Sequence, residues 1–194
     1  MSPTLSSPNR LVRAYASIAW RLAEEAAVAE SDELGREKSA AAIAMAVACV
    51  ETYWNVLAKL WLVQNAQFVH REQVEADLKQ RKNLGRKLEE WPVLFFGCKA
   101  DLGSGAGQRF KACLDRRNRL MHFNSETHDF EHENVVIKGL LDTSVYESLK
   151  PADGIASIQS AEDFIEYLLR LQAIPAKQVR HAMHYWVGRV PGAA

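Results

Sequence analysis

The sequence predicts an all-α fold, a single-domain antiparallel bundle of about five to six helices over 8–190, with flexible termini at 1–7 and 191–194. Three observations predict it. Apolar residues recur at alternating steps of four and three through most of the chain, which keeps one side of a helix buried. No convincing strand-type alternation and no internal repeat breaks that pattern. The chain has 194 residues with 48% apolar content, enough for one well-buried core and too little to argue for two domains.

A first helix is predicted over 8–30, with Leu11, Tyr15, Ile18 and Leu22 on its buried side. The charged stretch 31–39 contains Gly35, lacks periodicity and reads as a connection. A second helix over 39–65 carries the clearest stripe, Ile43, Val47, Val50, Trp54, Leu57 and Trp61, and is expected to be central. Beside it Ala44, Ala48, Glu51, Asn55 and Ala58 form a line of small residues that admits a close neighbour and carries two polar groups inward. Residues 70–90 read as a solvated helical face interrupted at Gly85, with Lys79, Arg81, Lys82, Arg86 and Lys87 as its basic run. The apolar segment 93–96 after Pro92 is too short to separate strand from helix.

Gly103, Gly105 and Gly107 read as a hinge, because their spacing fits neither the dinucleotide fingerprint nor a P-loop. The next helix is predicted over 107–122, buried along Phe110, Leu114, Arg117 and Met121. After a polar stretch, 124–134, the segment 135–149 is ambiguous, with a short helix as one reading. Ser160 with Asp163 resembles a capping box opening a helix that buries Phe164, Ile165, Leu168 and Leu171 and must stop or kink at Pro175. A last helix over 177–186 closes the domain. Trp20, Trp54, Trp61, Trp91 and Trp186 read mostly as core anchors and form no base-stacking array.

Lysine plus arginine balance aspartate plus glutamate, 24 against 24, so the chain lacks the global positive charge of a nucleic-acid coat and any anion binding must be local. Cys49, Cys98 and Cys113 follow neither zinc-ligand spacing nor the even count of a disulfide framework, which fits a reducing cytoplasm. The polar, proline-containing start of the chain does not resemble a secretory signal. The longest uninterrupted apolar run, 40–50, falls short of the roughly 18 residues that suggest a membrane span.

Only Arg117-Asn118-Arg119-Leu120-Met121-His122 proposes a chemistry. Arg117 shares a helix side with Phe110, Leu114 and Met121, so its guanidinium starts where an apolar group is expected and needs a partner or an anion. Glu51 is expected to pair with or orient it, and the alternative is that Arg117 snorkels to the surface. His122 lies about 140° around an ideal helix from Arg117, on the line of Asp115 and Asn118. Either the helix end distorts, or two copies of the motif converge across a dimer interface. An arginine offers planar paired donors to phosphate oxygens, and a histidine can accept and return a proton near neutrality. Those are the needs of metal-independent RNA cleavage, in which the ribose 2′-hydroxyl attacks the adjacent phosphate and the 5′-oxygen leaves. Around the pair, Arg109, Lys111, Arg116 and Arg119 outnumber Asp115 and would give RNA a local positive field.

The stretch 114–123 resembles the HEPN superfamily, whose signature is an Arg followed by a His, very often as Arg-Asn-x-x-x-His. The tight match covers about ten residues; the looser helical plan covers 8–186, including Glu51 as the acid on an early helix. The resemblance implies a helical bundle that dimerises with Arg and His near the interface, often a ribonuclease in toxin, phage-defence or RNA-processing settings. It implies RNA as substrate, a homodimer, and an antitoxin or nucleotidyltransferase as partner. Carried over, Arg117 would stabilise the phosphate, His122 would transfer the proton and Asn118 would orient the site, supported by Glu51 and Asn55. Some toxins of the superfamily place a Tyr two residues after the His; Asn124 stands there, so modification at that position is not supported. Some members are non-catalytic, which keeps open an alternative, a HEPN-like module binding a nucleotide or a partner protein in the same cleft. Neither reading calls for a metal, a cofactor or a membrane.

His128-Asp129-Phe130-Glu131-His132 has the form H-x-x-E-H of one class of zinc proteases. That chemistry needs both histidines on one face of a rigid helix and a further ligand downstream, whereas the motif lies in a polar segment where a solvated loop is expected. His181 and His184 read as surface or core histidines ahead of incidental metal binders.

Overall fold

The computed structural model describes the backbone of residues 7–121, 128–132, 135–140 and 143–189, and the side chains of 7–121 and 143–189. Among the described residues the fold is all-helical apart from one hairpin. The helices are α1 (Arg10–Ala27), α2 (Asp32–Gln64), α3 (Arg71–Lys79), α4 (Leu84–Phe96), α5 (Gly105–Met121), the short α6 (Ser144–Glu147), α7 (Pro151–Leu171) and α8 (Ala176–Val187). Between α5 and α6, β1 (His128–His132) pairs antiparallel with β2 (Val135–Leu140), with a register shift between His128 and Phe130. Eight helical segments among the described residues replace the expected five or six, because the charged region 70–90 divides into two helices and α6 is a single turn.

The core is built around α2 and α7. Helix α2 packs on α1, α7 and α5, and α7 also packs on α1, α5 and α8. The expected α2 stripe is in place, with Ile43, Val47, Val50, Trp54 and Leu57 buried and Trp61 half-buried. The α1 face is rotated from expectation by about one residue. Its buried line is Val12, Ala16, Ala19, Ala23 and Ala26, while Leu11 is exposed and Tyr15, Ile18 and Leu22 are half-buried. The reason is close approach: a Cβ on Gly154 of α7 would lie 3.3 Å from both Ala23 Cβ and Ala42 Cβ. Three backbones meet there, and only small residues fit between them.

The stretch 31–39 is not a connection. Ser31 caps α2, its hydroxyl accepting from Leu34 N at 3.2 Å, and Asp32 and Glu33 favour the helix N-terminus electrostatically. The resulting 33-residue α2 is long and apolar enough to cross a membrane by length and composition, which the run 40–50 alone did not suggest; half of its most apolar window is buried inside the protein. Helix α7 likewise begins earlier than Ser160. Lys150 precedes Pro151 at the first helical turn, and Asp153 Oδ2 accepts from Lys150 N at 2.8 Å. Ser160 is mid-helix, its hydroxyl donating to Ala156 O at 2.6 Å, so the expected capping box is not made. Helix α8 starts just after Pro175, as expected.

The segment 93–96 is the last turn of α4, which continues through Pro92 and ends at Gly97, whose φ of 70° gives the left-handed helix stop. Its aromatic side meets α2: Trp54 lies 5.8 Å from Trp91 edge-on and stacks on Phe96 at 5.9 Å. Trp54, Trp91 and Trp186 are buried and Trp20 and Trp61 half-buried, in keeping with anchoring roles. Gly103 just before α5, with Gly105 and Gly107 in its first turn, makes a packed corner where a hinge was expected. Asp101 Oδ1 accepts from Gly103 N at 2.8 Å and Ser104 N at 3.1 Å, and its carbonyl sits where a Cβ on Gly107 would be.

Candidate functional site

Helix α5 carries the motif into a cleft of about 650 Å³ lined by Lys111, Leu114, Asp115, Arg117, Asn118 and Arg119 on one side. Glu51 of α2 and the first turns of α4, from Asn83 to Glu89, form the other. Asn83 caps α4 by accepting from Arg86 N at 2.9 Å, which leaves the amino end of that helix facing the cleft. Such an end favours an anion. His122, expected from the sequence to transfer the proton, lies outside the described residues.

Arg117 is half-buried as its position implied, but the expected ion pair with Glu51 is not made. Glu51 Oε1 instead lies 4.0 Å from Lys87 Nζ, and Lys87 donates to Asn55 Oδ1 at 2.8 Å. Lys87 belongs to the basic run expected to be solvated, yet its side chain is 3% exposed and its ammonium sits 5.1 Å from the Trp91 ring. Burial holds its pKa below the ordinary lysine value, with Glu51 and then Asp77 opposing. The two inward polar groups of α2, Glu51 and Asn55, are thus the partners of Lys87. Neither Arg117 nor Asn118 has a side-chain hydrogen bond or ion pair among the described residues.

The neighbouring cations divide. Arg109 pairs with Asp163 at 2.8 Å and Arg116 with Asp153 at 2.6 Å, so these two are committed to acids of α7. Lys111 and Arg119 are exposed along the cleft. The lining carries three cations, Lys111, Arg117 and Arg119, and three acids, Glu51, Glu89 and Asp115, so the cleft is charge-balanced. Met121, expected on the buried stripe, is 59% exposed. It borders a smaller apolar hollow of about 300 Å³, with Ala40, Ala44, Leu120 and Tyr146, that Arg117 also reaches.

The other candidates gain nothing. The histidines of the H-x-x-E-H motif lie on β1, where four residues of extended chain span about 13 Å, against roughly 6 Å for one helical turn. No cluster of metal-binding groups occurs among the described residues. His181 and His184 are exposed. Cys49 and Cys113 are buried and Cys98 half-buried; burial raises the Cys113 thiol to about 11 and the Cys49 thiol further, leaving both unreactive.

A second polar constellation escaped sequence reasoning. Glu162 of α7, 3% exposed, accepts from Trp20 Nε1 at 2.7 Å, and Arg189 stacks its guanidinium 3.8 Å from the Trp20 ring centre with Nε 3.9 Å from Glu162. Burial raises the pKa of Glu162 above the ordinary carboxylate value. Glu162 falls on a buried face of α7, and a lone acid in an apolar register was the only signal available for it.

No protein-family model matches the chain, and neither does any curated protein or solved structure.

Proposed function

We propose that the protein is a metal-independent endoribonuclease of the HEPN type, working as a cytoplasmic homodimer in a toxin or phage-defence setting. The observation that carries the reading is Arg117, half-buried on a 650 Å³ cleft beside Asn118 with no acid bound to it, five residues before His122. A guanidinium held in a cleft without a partner is a receptor for an oxyanion, and phosphate suits its paired donors. Arg117 then neutralises the charge that develops on the phosphate as the 2′-oxygen attacks. His122 takes the 2′-hydroxyl proton or returns one to the departing 5′-oxygen. Asn118, one residue further around the same helix, orients the phosphate through its amide. Glu51 acts at one remove, because its charge is shared with Lys87. An antitoxin or nucleotidyltransferase partner belongs to the same reading.

Purified protein is expected to cleave single-stranded RNA in EDTA, leaving 2′,3′-cyclic phosphate ends. His122→Ala and Arg117→Ala should each lower the rate by about two orders of magnitude or more with the fold intact. Undiminished cleavage by His122→Ala would remove that residue from the mechanism. Thermal stabilisation by nucleotides without any RNA cleavage would favour the alternative of a non-catalytic module.

A further inference from the structure

The cleft around Arg117 is charge-balanced, so a nuclease built on it needs its affinity for the nucleic-acid strand from elsewhere. An open groove of about 580 Å³ lies between α1 and the end of α8. Arg10, Arg13 and Arg21 of α1 line the groove with Arg189, around Trp20, against Glu24 as the one acid of the lining. The guanidinium groups of Arg10 and Arg13 have no hydrogen bond or ion pair among the described residues. Arg21 is only loosely engaged, 3.8 Å from Glu25.

The groove is assembled by specific packing. Gly188 ends α8 at a φ of 85°, and a Cβ there would lie 3.2 Å from Arg13 Nε, so the Arg13 head rests against the backbone of α8. The same turn delivers Arg189 to Trp20, where buried Glu162 fixes both. Asn9 is buried just before α1, and its amide donates to the Tyr185 carbonyl. Arg10, Arg13 and Arg21 are strung along one helix over about 16 Å, a row of separated cations instead of a compact cage. A compact phosphate would engage one or two of them. A chain of phosphates spaced a few ångströms apart would engage all.

We propose that the α1–α8 groove binds the phosphate backbone of single-stranded RNA, with Arg10, Arg13, Arg21 and Arg189 each opposite a phosphate; this rests on the ribonuclease reading for its choice of nucleic acid. The probe is a fluorescent 12-residue oligouridylate with 2′-O-methyl sugars, which cannot be cleaved. Its affinity for the full chain is followed by anisotropy between 50 and 200 mM salt. Four phosphate contacts give a slope of log affinity against log salt of about −2.8, and Arg10→Gln with Arg13→Gln should make it shallower by about 1.4. Lys59→Gln, on an exposed lysine of α2, should leave it unchanged. Both arginines are exposed and glutamine keeps a polar head on most of the Arg13 stem, so thermal melting of the double variant should stay within about 2 °C of wild type. An unaltered slope in the double variant overturns the groove, as does full competition by equimolar inorganic tripolyphosphate, which would mark a compact anion site. Cleavage of unmodified RNA is measured separately. Cleavage by wild type with an unaltered slope sinks the groove alone, and the expected slope change without cleavage sinks the nuclease alone.

Discussion

Replacing Gly107 with alanine tests how the start of α5 is anchored. The added Cβ would lie 1.8 Å from the Asp101 carbonyl oxygen, 2.9 Å from its carbon and 3.1 Å from Leu102 Cα. All three are backbone atoms, so no side chain can swing aside and the loop must withdraw by roughly 1.5 Å to restore ordinary contact. That movement breaks the bond in which Asp101 N donates to Tyr167 Oη at 2.7 Å and pulls half-buried Leu102 from its place beside the cleft. The bond is worth about 1 kcal/mol and the apolar contact about 2 kcal/mol, while alanine's helix propensity returns about 1 kcal/mol. The net loss is about 2 kcal/mol, a fall in Tm of roughly 4–8 °C for a chain of this length. Differential scanning calorimetry reads it directly. Gly103→Ala is the matched control, because its Cβ would meet only Asp101 Oδ1 at an ordinary 3.5 Å, and its Tm should stay within about 2 °C. Equal melting of the two variants would refute the packed-corner account.

Trp91→Phe should cost about 1–3 kcal/mol in urea denaturation, because Trp91 Nε1 donates to buried Asp77 at 2.9 Å and the ring change strips that bond; an unchanged midpoint would contradict it. Burial raises the Glu162 pKa, so between the ordinary value of 4.5 and that raised value the native state holds a proton the unfolded chain has released. Wild-type stability must therefore fall as pH rises through this window, whereas Glu162→Gln, which keeps an acceptor for Trp20, should not share the fall. Parallel stability curves for the two proteins would defeat the assignment. Burial lowers the Lys87 pKa, so the unfolded chain binds more protons between that lowered value and the ordinary 10.5. Native stability should rise with pH there, and Lys87→Met should abolish the rise; a slope retained in the variant would show that another group produces it.

The α2 stripe and the end of α7 near Pro175 were legible because a large apolar group marks each turn and proline marks the break. The α1 face was not, because size misled. Its leucine and isoleucine side chains flank a contact made by alanines, and only the position of Gly154 on a distant helix shows why. The true starts of α2 and α7 were hidden by polar residues, since Ser31 with Asp32 and Asp153 with Pro151 signal helix as strongly as the apolar pattern signals its absence. The hairpin was missed because β1 is polar and alternates too briefly to declare a face. At the site, helical geometry placed Arg117 and Asn118 on α5 and turned Glu51 and Asn55 inward. It could not choose between Arg117 and Lys87 as the partner of Glu51, because that choice depends on how α4 lies across α2.

That choice bears on the state of Arg117. Lys87 is almost fully enclosed, and an enclosed ammonium needs acceptors more urgently than a guanidinium open to a cleft. Asn55 supplies one at 2.8 Å and Glu51 a weaker charge at 4.0 Å, so the inward acid of α2 is partly neutralised from α4 before α5 can use it. A tight Glu51–Arg117 pair would have occupied up to two of the guanidinium's five donors and set a carboxylate's charge against any phosphate that approached. With the acid drawn toward Lys87, Arg117 lines a charge-balanced cleft without an ion pair among the described residues, and on the proposed reading it would grip one phosphate without holding the whole strand. On the proposed reading, the strand's remaining charge would fall to the four arginines of the α1–α8 groove, which would separate the chemistry from the affinity.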